Sequence, residues 1–307
     1  MKLPLYGRKF CLLILCLSLL LTLSLLAGCK GKDGSDGVAG PNGTNGTNGL
    51  PSTAVYFPDL SDSEVTALKM SGKITGVSIS SAPVVTFQIT DAAGTGISGL
   101  GVKNSSNNNK YFRFGLAKLV SGSSVNANYW ESYGITGTSK TPTMEKNGTI
   151  VDHGDGSYTY TFSNNITANT NTWAPAYDAT KTHRLAILVY NQDDSTNPAN
   201  FTPVNITYDF VPNGSAVTET RDIVSKEACL SCHTKFTFHD GSRFDPKTCA
   251  MCHTYQRANG AVASTPTSTG LLTGTSQSIV NGFSQTELVT FIHKIHMGDE
   301  LTLQGYT

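Results

Sequence analysis

The stretch Gly148-Thr149-Ile150-Val151-Asp152-His153-Gly154-Asp155-Gly156-Ser157-Tyr158-Thr159-Tyr160-Thr161-Phe162 reads as a β-hairpin. Tyr158, Tyr160 and Phe162 alternate with threonine, the period of a strand with one buried face. The Asp-Gly pair between the two runs supplies the positive-φ chemistry of a tight turn. Working outward, strand-like runs recur at Ile74, Val77 and Ile79, over Val84 to Ile89, Tyr111 to Val120, Asn128 to Tyr133, Arg184 to Tyr190 and Val204 to Phe210. About eight short strands between Lys73 and Pro212 predict a Greek-key sandwich or barrel. Before them, Ser61 to Met70 predicts a short helix capped by Ser61 or Asp62, with Glu64 in its first turn and Gly72 as its stop. Asp152 and Asp155 invite a calcium-loop reading, but turn chemistry accounts for them with fewer assumptions. His153 and His183 read as surface or turn histidines rather than metal ligands.

The composition agrees with an exported β-rich protein. Charged residues make up 14%, and the 22 basic and 22 acidic residues cancel, so no basic face points to nucleic acid. Residues 1–28 have the form of an export signal: Lys2, Arg8 and Lys9, then an apolar run from Phe10 to Leu26. That run is about long enough to span a bilayer as a plain helix. Leu26-Ala27-Gly28-Cys29 instead matches a bacterial lipoprotein signal, which predicts cleavage before Cys29 and acylation of that cysteine. Glycine then recurs at every third position from Gly31 to Gly49. This is collagen's period, but the run is short and holds a single proline, Pro41, so residues 29–50 are read as a flexible tether. A β domain is expected over 51–220.

Past Pro212 the strand pattern stops, and 221–307 is poor in apolar periodicity and rich in Cys and His. A segment of that kind is marginal as an ordinary core. Cys11 and Cys16 leave with the signal and Cys29 is the anchor. The other four cysteines form Cys229-Leu230-Ser231-Cys232-His233 and Cys249-Ala250-Met251-Cys252-His253. In each Cys-x-x-Cys-His unit two thiols are spaced to add to the two vinyl groups of one macrocycle, and the following histidine ligates the iron. The unit thus predicts haem c, and two such units predict two covalent haems with His233 and His253 as proximal ligands.

The same 16-residue gap between pairs also fits a zinc ribbon. Against zinc stand the histidine after both pairs, the export signal, and further histidines that a four-cysteine site would leave idle. His239, His293 and His296 are the distal candidates. His239 follows His233 by only six residues, too few to round the macrocycle edge, so it is expected to serve the haem of Cys249 and Cys252 or another neighbour. His293 and His296 project from nearby faces of an expected helix. Two proximal ligands need two distal ones, so one of the three is spare or serves a third haem. The expected second domain is thus a small, irregular, mostly helical and loop haem domain, read as the opening part of a longer multihaem chain or a truncated relative. No acid, base or nucleophile constellation of a hydrolase or transferase is present.

These features together resemble the OmcA/MtrC family of outer-membrane decahaem cytochromes. The resemblance is carried by the lipoprotein cysteine and tether, by Asn147 to Phe162, and by Tyr208-Asp209-Phe210-Val211-Pro212 leading into the first motif. Phe238-His239-Asp240-Gly241-Ser242-Arg243 and His293-Lys294-Ile295-His296-Met297-Gly298 complete it. It implies an outer-membrane lipoprotein facing the exterior, with bis-histidine haems stacked for electron hopping. It also implies electron delivery to external metals or flavins, and partners among other haem proteins or a porin–cytochrome conduit. Whether the chain itself is a terminal metal reductase is left open. Two motifs stand here where the family has about ten. The rival expectation is a non-catalytic surface-binding lipoprotein with structural zinc in the cysteine pairs.

Overall fold

In the computed structural model, residues 54–122, 127–135, 141–171, 174–191, 201–256, 279–280 and 283–297 are described. The export signal, Cys29 and the tether expected over 1–50 lie outside the described residues. The elements, in chain order, are β1 (Ala54–Tyr56), α1 (Asp62–Ala67), β2 (Ser71–Ser78), β3 (Val84–Thr90), β4 (Gly96–Ser98), β5 (Phe112–Val120), β6 (Tyr129–Ser132), β7 (Thr149–Asp152) and β8 (Ser157–Thr161). There follow β9 (His183–Val189), β10 (Val204–Phe210), α2 (Lys226–Leu230), α3 (Pro246–Cys252), β11 (Ile279–Val280), β12 (Phe283–Ser284) and α4 (Leu288–Met297).

The expected hairpin forms β7 and β8, with Asp152 opposite Tyr158 and Thr149 opposite Thr161. Its turn runs through Gly154 (φ 80°) and Gly156 (φ 88°), backbone angles that glycine adopts without a Cβ clash. Both aspartates serve the turn. The Gly154 N–H donates to Asp152 Oδ1 at 2.9 Å and the Ser157 N–H donates to Asp155 Oδ1 at 2.8 Å. Asp152 Oδ2 accepts from the Gly99 N–H at 2.6 Å, which ties the turn to the end of β4.

Ten of the strands make two facing sheets, and β11 pairs with β12. One sheet runs β1-β4-β3-β8-β7, with β2 paired along the other edge of β3, and the second runs β10-β9-β5-β6. The fold is mainly β, as the alternation predicted. The chain crosses from one sheet to the other after β4, β6 and β8. The space between the sheets is filled with aromatic rings: Phe114 stacks on Tyr160 at 3.6 Å between centroids, and Phe87 meets Phe112 edge-on at 5.2 Å, favoured ring geometries in a dry core.

Three local expectations need correction. The helix is shorter than its pattern. Ser61 and Glu64 close a capping box, but the helix ends at Ala67, and Gly72 lies within β2. His183 is not a surface or turn residue. It is fully buried on β9, its Nδ1–H donating to the Lys181 carbonyl at 2.8 Å and its Nε2 accepting from Tyr133 at 2.8 Å. Finally, the expected strands omit β1 and β4, three-residue strands too short to show a period, which pair in parallel.

The central strands of the second sheet, β5 and β9, are buried on both faces. Leu185, Ile187 and Val189 of β9 point into the core between the sheets, whereas Ala186 and Leu188 point outward. On the outer face, Ala250 and Met251 of α3, Leu288 of α4 and Met144 pack against Ala117, Leu119 and Trp130 of the sheet. A strand buried on both sides reads as the near-continuous apolar run seen over Arg184 to Tyr190. Helices α3 and α4 therefore use the β layer as their core.

Two carboxamides fasten this contact at opposite edges of the sheet. Gln256 pairs with the edge strand β6 as another strand would: the Ser132 N–H donates to Gln256 Oε1 at 2.6 Å and Gln256 Nε2 donates to the Ser132 carbonyl at 3.1 Å. On β10, Asn205 Nδ2 donates to the Ser242 carbonyl and its Oδ1 accepts from the Phe244 N–H, both at 2.9 Å. Arg184 opens β9 with its side chain fully buried. It forms a forked pair with Asp209, its register partner on β10, at 2.6 and 2.7 Å, and reaches Asp222 at 2.7 Å. Its guanidinium lies 4.4 Å from the Trp130 ring. Burial of such a charge is tolerable only with this degree of pairing.

Gln256→Ala leaves the buried Ser132 N–H without its acceptor. The expected cost is about 1–3 kcal/mol, read as a lower urea midpoint together with faster hydrogen exchange at the Ser132 amide. Burial holds the His183 imidazole down at about 4, below the unfolded value of about 6.5. Its neutral form therefore stabilises the fold fully above about pH 6.5, and that contribution falls away as the pH drops toward about 4. The loss across this window is roughly 3 kcal/mol. Urea unfolding between pH 7 and pH 4 should show a shallower acid slope in His183→Gln than in the wild type.

Candidate functional site

Both Cys-x-x-Cys-His units sit where a short helix ends. Ser225 caps α2, accepting from the Ala228 N–H at 3.1 Å. Asp245 caps α3, accepting from the Lys247 N–H at 2.9 Å, with Pro246 in the first turn, a position where its missing N–H is not needed. In each unit the histidine N–H closes the last turn onto the carbonyl of the first cysteine. The distances are 3.0 Å from His233 to Cys229 and 2.9 Å from His253 to Cys249. A helical turn puts residues three apart on one face, so the cysteines of each unit lie on one side and the histidine follows beneath them.

The two units face one cavity of about 720 Å³, within the ~300–1,000 Å³ range of small-molecule and cofactor sites. Cys229, Cys232, His233, Cys249 and His253 line it, as do His239 and His296. The remaining wall is apolar. α4 contributes Leu288, Phe291, Ile292 and Ile295, a helical stripe at positions i, i+3, i+4 and i+7, and Phe236 and Phe238 close the other side. This stripe is legible in the sequence by its period. The role of Phe291, which stacks on His253 at 5.3 Å between centroids, carries no sequence signal of its own.

The histidines meet in pairs drawn from different segments. The His239 and His253 ring centroids are 6.3 Å apart, and those of His233 and His296 are 6.1 Å apart. An imidazole nitrogen sits about 2 Å from a first-row metal and its ring centre roughly 1 Å beyond, so two rings ligating one ion from opposite sides lie about 6 Å apart. His239 reaches its place from a tight turn in which His239 (φ 50°), Asp240 (φ 58°) and Gly241 (φ 85°) are all left-handed, with Phe238 and Arg243 paired across it. Two successive non-glycine residues at positive φ are uncommon and costly, and such strain clusters at functional sites.

Ring orientation is set by backbone carbonyls. His253 Nδ1 donates to the Thr286 carbonyl at 2.9 Å and His296 Nδ1 to the Ile292 carbonyl at 2.8 Å. A carbonyl only accepts, so Nδ1 carries the proton and Nε2 keeps the lone pair that a metal requires. His293 is oriented in the same way, onto the Val289 carbonyl at 2.8 Å, but it faces elsewhere. With Asn128, Arg221, Asp222, Val224 and Val289 it lines a second cavity of about 670 Å³, and Ile292 borders both cavities. The residues fit two macrocycles: an apolar enclosure, thiols in vicinal pairs, and imidazoles at a ligation spacing from opposite walls.

The zinc alternative finds no support in this arrangement. Among the described residues no group of three or more His, Cys, Asp or Glu converges as a metal cage would.

Comparison with known proteins agrees with this geometry. Residues 138–217 match the family model described as OmcA-like N-terminal domain, and residues 221–306 match that described as outer membrane cytochrome MtrC/MtrF-like, domains II/IV. A curated relative, the multiheme cytochrome MtrC of Shewanella baltica (strain OS185), is 32% identical over 180 residues, covering 56% of this chain and 25% of the relative. Among solved structures, the outer membrane decaheme cytochrome OmcA superposes with a TM-score of 0.55 at 23% identity, over 80% of this chain and 34% of that one. MtrC from Shewanella baltica OS185 does so with a TM-score of 0.52 at 24% identity, over 76% and 33%. The chain thus spans about a quarter of the curated relative's length and a third of the solved structures. The two domain models together span more than half of the chain and, with the curated relative, place it in the OmcA/MtrC family of multihaem cytochromes, while the solved structures show a shared fold.

Proposed function

We propose that this chain is an electron-transfer lipoprotein of the outer membrane. In this reading a β domain over 51–220 supports a small helical and loop haem domain over 221–307, and Cys29 carries the lipid. Cys229 and Cys232 hold one haem c and Cys249 and Cys252 a second. His233 and His296 would hold the iron of the first, and His239 and His253 that of the second. The observation that carries the proposal is the pairing of each motif histidine with a remote histidine at 6.1 and 6.3 Å across one apolar cavity.

The haem supplies a one-electron ferric–ferrous couple; the protein supplies ligands, spacing and polarity. α2 and α3 place the thiols, the Thr286 and Ile292 carbonyls fix the imidazoles, and the α4 stripe keeps water from the cavity. Because one cavity takes residues from both motifs, the two haems would lie close enough to exchange electrons directly. His293 is assigned as distal ligand to a third haem lodged in the second cavity. The favoured acceptors are external metals or flavins, and the favoured partners are other haem proteins or a porin–cytochrome conduit.

Protein produced with a c-type maturation system should carry two covalent haems by mass spectrometry and show low-spin α and Soret bands on reduction. A colourless product that binds zinc through the cysteines would sink the reading. Replacing Cys249 and Cys252 with alanine should remove one haem. His239→Ala and His296→Ala should each convert one haem to a high-spin form, whereas His293→Ala should leave both low-spin in this chain.

A further inference from the structure

The ion pairs around Arg184 continue beyond the β layer. Asp222 receives Arg184 NH2 on Oδ1 at 2.7 Å and Lys247 Nζ on Oδ2 at 2.9 Å. Lys247 lies on α3, two residues before Cys249. Asp222 also lines the second cavity, beside His293. Two cations, Arg184 and Lys247, face two anions, Asp209 and Asp222, so the group is balanced. It lies at the base of the helix carrying the second motif. Arg184 is wholly buried there, so its charge is weakly screened.

We propose that Asp222 and Lys247 form an electrostatic set-point for the haem held by α3. The inference rests on the cofactor reading above. Reduction adds one electron to the iron and takes it from ferric to ferrous, lowering the site's charge by one. An uncompensated cation near α3 favours the reduced form and an uncompensated anion the oxidised form. Charge balance in the cluster thus keeps the potential of this haem from being displaced either way. Asp222 and Lys247 act on the haem through charge and by anchoring α3, and neither reaches the iron.

The test is a spectroelectrochemical titration of the haem-loaded chain and three variants. Asp222→Asn, which still offers Arg184 an acceptor oxygen, leaves a net positive charge and should raise one of the haem potentials. Lys247→Met leaves a net negative charge and should lower the same one. The double variant should return close to the wild type. Both side chains are more than two-fifths exposed, so the substitutions do not open the core. A purely structural role would move both single variants the same way, and the double variant further still. That outcome, or unmoved potentials, overturns the inference while the cofactor reading stands. Should Asp222→Asn fail to load haem, Lys247→Met must lower the potential by itself, and an unchanged or raised value overturns the proposal. A wild-type chain without haem would instead refute the cofactor reading.

Discussion

The contact on which the architecture depends is the one between the outer face of the β10-β9-β5-β6 sheet and helices α3 and α4. Many of the described apolar side chains between 221 and 297 line the cavity. What is left to bury against protein is small: Ala250, Met251 and Leu288. On their own these would bury too little surface to offset the entropy of ordering the segment. Set on Ala117, Leu119, Trp130, Ala186 and Leu188, they complete a second hydrophobic layer. The β layer is therefore the floor on which α3 and α4 are assembled.

That arrangement explains why polar side chains do so much of the fastening. A sheet with two edge strands offers unpaired backbone groups on both sides. Gln256 satisfies the Ser132 backbone groups on β6, and the Asn205 side chain on β10 pairs instead with the backbone of Ser242 and Phe244; together they fix where the segment around α3 lies along the sheet. Arg184 performs a related task at the centre. Aliphatic side chains in its place would hold the layers together, but they would not specify which residue of the connecting segment docks at the end of β9. The paired carboxylates of Asp209 and Asp222 do specify it.

Much of this was legible in the sequence, for identifiable reasons. The hairpin at 148–162 could be read because tyrosine alternation and Asp-Gly turn chemistry are local. The strands at β3, β5, β9 and β10 could be read because each is long enough to show a period. The bounds of β1, β4 and α1 could not, since three- and six-residue elements are set by their neighbours rather than by propensity. The burial of His183 was invisible for a different reason: nothing in Lys181-Thr182-His183-Arg184 reveals that Tyr133, fifty residues earlier, stacks on the imidazole. The motif cysteines and histidines were recognised from spacing alone, but spacing is silent on which remote histidine approaches which motif. Steric reach along six residues argued that His239 could not return to His233. The structure sets its ring beside that of His253.

The pairing of the histidines shows how the fold converts sequence distance into an ordered site. His253 and His239 belong to segments joined by the Phe238–Arg243 turn and the start of α3, so their approach is set locally, by Asp245 capping and the left-handed turn. His233 and His296 are separated by the whole segment and meet only because α4 lies against the same sheet face as α3. The first pair also depends on α4, because His253 is oriented by the Thr286 carbonyl just before that helix and stacks on its Phe291. α4 carries both His296 and His293 on faces directed at different cavities, with Ile292 between them. A single helix of ten residues thus forms the partition between two cofactor-sized spaces. Its position on the sheet governs both at once, which ties the spacing of any haems on either side to the packing of Leu288 against the β layer.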